Sequence, residues 1–81
     1  MITLYTKDYC PYCHEAKNLL DSLQLEYKEI EISDKPEVFA EIKEKSGMNT
    51  VPQIFFNDRC LGGFSELDTL NKQGLLLDAL K

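Results

Sequence analysis

The sequence YTKDYCPYC, residues 5–13, decides the fold of this 81-residue chain because it joins a β-prone segment to a helical one. Residues Met1–Thr6 alternate in polarity and favour β-structure, which predicts a first strand followed by a loop. Pro11 suits the first position of a helix, since the N–H that proline lacks would have no partner there. Cys10 is therefore predicted to be the N-cap of a helix over Pro11–Gln24.

Apolar residues recur at helical spacing along this predicted helix. They are Ala16, Leu19, Leu20 and Leu23. Cys13 lies three residues before Ala16 and shares the same apolar stripe. We therefore expect Cys10 to face outward from the helix tip and Cys13 to sit behind it, partly covered.

The rest of the chain continues the alternation of strand and helix signals. A second strand is predicted over Glu26–Ile32. Asp34, followed three residues later by Glu37, has the form of a capping box for a second helix. Gly47 is expected to end that helix in the left-handed conformation.

The last third of the chain is predicted to contain a β-hairpin and a helix. The hairpin has strands Pro52–Phe56 and Arg59–Leu61 around an Asn57-Asp58 turn. Ser65, with Asp68 three residues later, predicts a helix start that turns Leu67 and Leu70 inward. Gly74 then separates this helix from a final apolar turn over Leu75–Leu80.

These elements follow the order β-α-β-α-β-β-α and predict one α/β domain over residues 1–81. The helical crossover makes strands one and two parallel, and the short turn makes strands three and four antiparallel.

Composition narrows the possible functions. Nine Lys and Arg against fourteen Asp and Glu give a net charge of −5, which argues against a nucleic-acid partner. No apolar run approaches the roughly 20 residues of a membrane span, and no secretory signal is visible at the start of the sequence. We therefore predict a cytoplasmic protein with no membrane partner. Three cysteines are too few for a secreted disulfide framework.

The Cys10-Pro11-Tyr12-Cys13 motif at a strand-to-helix junction predicts thiol chemistry. Backbone N–H groups of the first turn, with the positive end of the helix dipole, should stabilise a Cys10 thiolate and lower the pKa of this thiol. Lys7 could add to this effect, and Asp8 would oppose it.

A structural zinc site or an inert disulfide is the alternative interpretation of the motif. Zinc usually takes four nitrogen or sulfur ligands, and only Cys60 and His14 remain to complete such a set. There is no second cysteine pair, and His14 is expected on a solvated face. The placement at a helix start therefore favours redox chemistry over metal binding, with no metal expected.

Two weaker motifs follow. Cis bonds before proline are uncommon in folded proteins, so Thr50-Val51-Pro52 alone is interpreted as the extended start of an edge strand. Free amides after Gly62-Gly63, in the segment GGFSE, could receive a small carboxylate. A plain turn before a capped helix would explain the same segment.

Taken together in this order, YTKDYCPYC, TVPQIFF and LGGFSEL resemble the glutaredoxin family. The resemblance covers essentially the whole chain. It implies a thioredoxin-like α/β fold, with a four-stranded mixed sheet flanked by three or more helices. It also implies glutathione as the reducing co-substrate of an enzyme that reduces protein disulfides and glutathione mixed disulfides.

The resemblance also implies roles for individual residues. Cys10 would be the nucleophile and Cys13 the resolving thiol. Pro52 would be cis and leave the backbone of Val51 free to pair with glutathione. The other predicted glutathione contacts are Lys7, Tyr12, Thr50, Ser65 and Glu66. Many members carry Asp where Glu66 stands here.

Three other functions stay open at this point. One is a redoxin reduced by thioredoxin reductase, and another is an iron–sulfur carrier that uses Cys10 of two chains with two glutathiones. A zinc module is the third. The expected partners are otherwise disulfide-containing or glutathionylated proteins, and the chain is expected to be a monomer. Cys60 is expected to be a passive, half-buried thiol.

Overall fold

A computed structural model describes residues 1–8 and 10–80; Tyr9, in the loop predicted before Cys10, and Lys81 lie outside the described residues. The described elements follow the predicted order, with one more short helix at the end. They are β1 (Ile2–Thr6), α1 (Pro11–Ser22), β2 (Tyr27–Glu31), α2 (Pro36–Ser46), β3 (Gln53–Phe56), β4 (Arg59–Gly62), α3 (Phe64–Lys72) and α4 (Leu76–Ala79).

The four strands form one mixed sheet in the order β2-β1-β3-β4. Strand β1 runs parallel to β2, and β3 pairs antiparallel with β4, as predicted. Strand β1 also pairs antiparallel with β3. The interpretation of Pro52 as the start of an edge strand is wrong, because β3 lies between β1 and β4. Pro52 stands one residue before the first paired residue, Gln53, so its missing N–H removes no bond from the ladder.

Apolar side chains cover both faces of the sheet. Successive residues of a strand point to opposite faces, so Ile54 and Phe55 of β3 enter two different clusters. The larger cluster contains Ile2, Leu4, Ala16, Leu20, Ile54, Leu67 and Leu76. The smaller one contains Ile32, Ile42 and Phe55. Burial of each such large aliphatic side chain stabilises the fold by about 1.5–3 kcal/mol, so the sheet is held by helices on both sides.

The first helix begins as predicted, with Cys10 as N-cap and Pro11 in the first turn. It ends at Ser22, short of the predicted Gln24, which has a positive φ of 57° that a right-handed helix cannot contain. The helix stripe is correct in part: Leu20 is fully buried, whereas Leu23 is exposed.

The predicted capping box of α2 is wrong. Lys35, and not Asp34, is the N-cap, and it makes no side-chain capping bond. Pro36 occupies the first turn, and the residue before a proline is pushed out of helical geometry, which fixes the cap at Lys35. Gly47 ends the helix in the left-handed conformation, with φ 73°, as predicted.

The start of α3 also differs from its prediction. The helix begins at Phe64 with Gly63 as N-cap, and not at Ser65. Glu66, and not Asp68, reaches back to the cap: its Oε1 accepts the Gly63 N–H over 2.7 Å. The turn at Gly62, with φ 105°, brings the chain into the helix earlier than the serine signal indicated. Leu67 is buried, as predicted.

Candidate active site

Cys10 and Cys13 are joined as a disulfide at the N-terminus of α1, with their Cα atoms 5.1 Å apart. The Cys13 N–H donates to Sγ of Cys10 over 3.1 Å, so the cysteine side chain itself caps the helix. The carbonyl of Cys10 also accepts N–H groups from Cys13 and His14, at 3.1 and 3.2 Å. The positive end of α1 is therefore directed at the sulfur of Cys10.

Both cysteines are more covered than the sequence indicated. Cys10 is 9% exposed and Cys13 is 2% exposed. Cys10 is the more accessible of the two, as predicted, but it does not stand free of the helix tip. The carbonyl oxygen of Val51 lies 3.8 Å from Sγ of Cys10. A sulfur in a disulfide has no proton to donate, so this is a packing contact between Cys10 and the backbone of Val51.

The sheet brings Val51 to Cys10 from 41 residues away. The end of β1 leads to Cys10, and the antiparallel β3 begins beside that end, directly after Pro52. The Val51–Pro52 peptide bond is cis, as the family resemblance implies and against the interpretation of an ordinary extended segment.

A cavity of about 350 Å³ opens beside this contact. All of the predicted ligand residues except Lys7 line it, together with three residues that the prediction missed. The lining residues are Tyr12, Met48, Thr50, Val51, Pro52, Gly63, Phe64, Ser65 and Glu66. Gly63 and Phe64 belong to the quoted GGFSE segment, so their position in the motif was the available signal. Nothing in the sequence marked Met48.

Two aromatic side chains form one wall of the cavity. Tyr12 is 63% exposed and stacks on Phe64, with ring centroids 6.1 Å apart and an angle of 26° between the planes. An offset stack of this kind restrains a side chain that would otherwise be free at the surface. Tyr12 is thereby held next to Cys13, at the rim of the site.

Lys7 lies elsewhere than the other predicted ligand residues. Its Nζ is 4.3 Å from the centroid of the Phe39 ring, which is a cation–π contact with α2. The side chain is exposed, so its charge stays in water near the segment that leads to Cys10. An effect of Lys7 on the Cys10 thiol stays a prediction.

The Gly62-Gly63 turn lies close to the cis-proline segment. A Cβ atom added at Gly63 would come within 3.3 Å of the Pro52 carbonyl oxygen, and one at Gly62 would come within 2.7 Å of Cβ of Glu66. The absence of side chains therefore lets these two segments close the cavity around Glu66. One oxygen of that carboxylate is already used by the Gly63 N–H.

Cys60 and His14 stand apart from this chemistry. Cys60 is a free, half-buried thiol whose Sγ accepts the Gly62 N–H over 3.3 Å. His14 is exposed, on a solvated face. Among residues 1–8 and 10–80, no three His, Cys, Asp or Glu side chains gather in a way that could hold a metal ion. The helices of the same residues include none that is long and apolar enough to cross a membrane.

Comparison with known proteins identifies the family. The family model for glutaredoxin matches residues 2–61. The chain belongs to the glutaredoxin family. A glutaredoxin of Pseudomonas aeruginosa is 42% identical over 79 residues, which cover 98% of this chain and 93% of that protein. Glutaredoxin 3 of Escherichia coli is 40% identical over 80 residues, covering 99% and 96%.

Solved glutaredoxins share the fold as well. The crystal structure of a buckwheat glutaredoxin–glutathione complex superposes with a TM-score of 0.90 at 28% identity, covering 98% of this chain and 74% of that one. The predicted four-stranded mixed sheet with flanking helices, the thioredoxin fold of glutaredoxins, is confirmed. As a glutaredoxin with a Cys10–Cys13 pair, the chain is a thiol–disulfide oxidoreductase.

Proposed function

We propose that this chain uses glutathione to reduce protein disulfides and glutathione mixed disulfides, with Cys10 as nucleophile and Cys13 as resolving thiol. The observation that carries this proposal is the 3.8 Å contact between Sγ of Cys10 and the carbonyl oxygen of Val51, which lines the cavity. The sulfur of Cys10 thus contacts a residue that lines a space of about 350 Å³, a volume that suits a small peptide. The buckwheat relative was solved as a complex with glutathione.

The reaction is a sequence of thiol–disulfide exchanges. The Cys10 thiolate attacks the glutathione sulfur of a glutathionylated protein, which forms a Cys10–glutathione disulfide and releases the protein thiolate. A second glutathione thiolate then attacks the glutathione sulfur, releases oxidised glutathione and restores the Cys10 thiolate. Protein disulfides use both cysteines: Cys10 forms the mixed disulfide, Cys13 displaces the protein thiol, and two glutathiones reduce the resulting Cys10–Cys13 bond.

The cavity offers different partners to the two ends of glutathione. The backbone of Val51, fixed by the cis Pro52, would pair with the cysteinyl unit beside Cys10, with Thr50 close by. The first-turn amides at Ser65 and Glu66, at the positive end of α3, would receive the γ-glutamyl carboxylate. Tyr12 would flank the peptide from the aromatic wall.

Lys7 would provide a cationic side chain to this site, facing the glycyl carboxylate from the outside of the cavity. The ammonium group of Lys7 contacts the Phe39 ring. It would bind the carboxylate either from that position or after leaving the ring. An acidic protein can bind an anionic peptide in this way because amides and a helix dipole supply local positive potential.

The partners beyond glutathione follow from the same chemistry. They are glutathionylated or disulfide-containing proteins whose sulfur can reach Cys10. We further propose that residues 1–81 act as one domain, as a monomer in the cytoplasm.

The test is a coupled assay in which glutathione, glutathione reductase and NADPH reduce a small mixed disulfide of glutathione. The wild-type chain should consume NADPH, the Cys10→Ser variant should not, and Cys60→Ser should match wild type. Turnover with thioredoxin reductase and none with glutathione would overturn the proposal. So would full activity of Cys10→Ser.

A further inference from the structure

Gln53 is a fully buried polar side chain directly behind the cis proline. It is 0% exposed and begins β3, where it pairs with Tyr5 of β1. Its Nε2 donates to two backbone carbonyls, those of Met48 and Thr50, each over 3.0 Å. One amide group therefore bridges the sheet and the segment between α2 and β3.

Burial of this amide is unfavourable, and only its two hydrogen bonds offset the cost. Its Oε1 is buried without a hydrogen-bond partner among the described residues. An unpaired buried acceptor is destabilising, and an apolar side chain of the same length would avoid it. The orientation of the Gln53 amide is therefore set by its two donor bonds and not by its oxygen.

Both bonds end on residues that line the cavity, Met48 and Thr50. The hydroxyl of Ser46 adds a third anchor, since it accepts the Met48 N–H over 3.0 Å. Residues 48–50 are thus fixed from behind, while the neighbouring Val51 meets Cys10 on the other side. This segment has no regular secondary structure of its own, so these side-chain bonds take the place of a ladder.

We propose that Gln53 is a positioning residue for glutathione binding, acting through Met48 and Thr50 without touching the peptide. The inference rests on the proposed function. It predicts a specific kinetic signature, because Gln53 contacts the wall of the cavity and not the reacting sulfurs. Loss of its bonds should weaken binding and leave the exchange steps alone, which raises KM for glutathione with little change in kcat.

The test is the Gln53→Met variant, which retains a side chain of similar length but has no amide. Its KM for glutathione should rise about tenfold, the effect of losing one to two net hydrogen bonds, while kcat stays within about twofold. Gln73→Met is the matched control, because Gln73 is exposed at the end of α3. This control should match wild type. An unchanged KM in a folded Gln53→Met variant, or a loss confined to kcat, would overturn the inference.

Two further measurements cover the case in which Gln53→Met does not fold. Gln53→Asn retains the amide but is one methylene too short to reach both carbonyls, and it should show the same rise in KM. In the wild-type chain, the Gln53 side-chain NH₂ protons should exchange with solvent far more slowly than those of Gln73, and equal exchange would refute the anchoring. A wild type inactive with glutathione would instead refute the proposed function, whatever the exchange experiment shows.

Discussion

The backbone N–H of Cys13 points at Sγ of Cys10 over 3.1 Å, within the first turn of α1. The backbone of the residue that we propose as the resolving thiol thus contacts the sulfur of its partner. When the pair is reduced, this N–H and the positive end of the helix favour a negative charge on Cys10. This contact supports the proposal that Cys10, the more exposed of the two cysteines, is the nucleophile.

The first prediction concerns the acidity of Cys10. In a Cys13→Ser, Cys60→Ser double variant, Cys10 is the only thiol of the chain. We expect its pKa to lie well below the free-thiol value of about 8.5, since the helix start stabilises the thiolate. Thiolate absorbance followed against pH measures this directly. A midpoint near the free value would contradict the role assigned to the helix.

The second prediction separates the two cysteines. Cys13→Ser should retain removal of glutathione from a glutathionylated peptide and should lose most reduction of protein disulfides, because only the second reaction needs a resolving thiol. Cys10→Ser should lose both. The two substrates are compared in the same glutathione-coupled assay. Persistence of either activity in Cys10→Ser would mean that another sulfur attacks.

The third prediction distinguishes the two roles of Glu66. Its Oε1 accepts the Gly63 N–H at the start of α3. Glu66→Ala removes this bond and should destabilise the fold by about 1 kcal/mol, as the loss of a helix cap does. Glu66→Gln retains an oxygen acceptor, so its unfolding free energy should stay within about 0.5 kcal/mol of wild type.

The same pair of variants tests binding. If the carboxylate faces the γ-glutamyl ammonium, Glu66→Gln should raise KM for glutathione about fivefold despite its normal stability. Chemical denaturation and steady-state kinetics on both variants separate the effects. Equal KM values for wild type and Glu66→Gln would restrict Glu66 to capping.

The fourth prediction compares two glycines with positive φ. Gly62 has φ 105° and would place a new Cβ 2.7 Å from the Cβ of Glu66, whereas Gly47 has φ 73° and open space around it. Gly47→Ala should therefore cost only the backbone strain of about 1–2 kcal/mol. Gly62→Ala should cost more and also raise KM for glutathione, since Glu66 must shift. Thermal unfolding and kinetics check both, and equal costs would contradict the contact.

The fifth prediction is a pH effect at the loop before Cys10. The hydroxyl and N–H of Ser33 bind the carboxylate of Glu31 and lower its pKa below the usual value. Because the folded-state pKa is the lower one, this stabilisation is present above the usual pKa and is lost as pH falls through the lowered value. The Ser33 hydroxyl also accepts the Asp8 N–H over 2.9 Å.

Ser33→Ala should consequently raise the pKa of Glu31 towards its usual value and loosen Asp8. Titration of the Glu31 carboxyl carbon by NMR measures the shift. Ser22→Ala is the control, because the Ser22 hydroxyl bonds to the Leu19 carbonyl at the other end of α1. An identical Glu31 titration in Ser33→Ala and wild type would refute the assignment.

The sequence predicted the elements because their signals are local. Pro11 after Cys10 placed the start of α1, and Gly47 placed the end of α2, since each residue type restricts its own backbone. The two capping errors have one cause. Asp34 and Ser65 resemble N-caps by residue type, but a cap is defined by backbone geometry. Pro36 fixes the first cap at Lys35, and the turn at Gly62 starts the other helix at Phe64, with Gly63 as its cap.

The site was predictable where it depends on a motif and not where it depends on packing. The GGFSE segment was marked by its own diglycine and the cis proline by the family resemblance, and both lie at the cavity. Gln53 gave no signal, because its role arises from carbonyls that only the fold brings within 3.0 Å. The cation–π contact between Lys7 and Phe39 could likewise not be predicted, because it depends on where α2 packs.

The adjacency of β1 and β3 at the centre of the sheet has one more consequence. Cys10 follows β1 and Val51 precedes β3, and these two strands pair with each other from Ile2 with Phe56 to Tyr5 with Gln53. A shift of this pairing by one residue would turn every side chain of a strand to the opposite face of the sheet, and such a shift is therefore strongly disfavoured. The spacing between the sulfur of Cys10 and the backbone of Val51 is therefore set by the pairing of the two central strands.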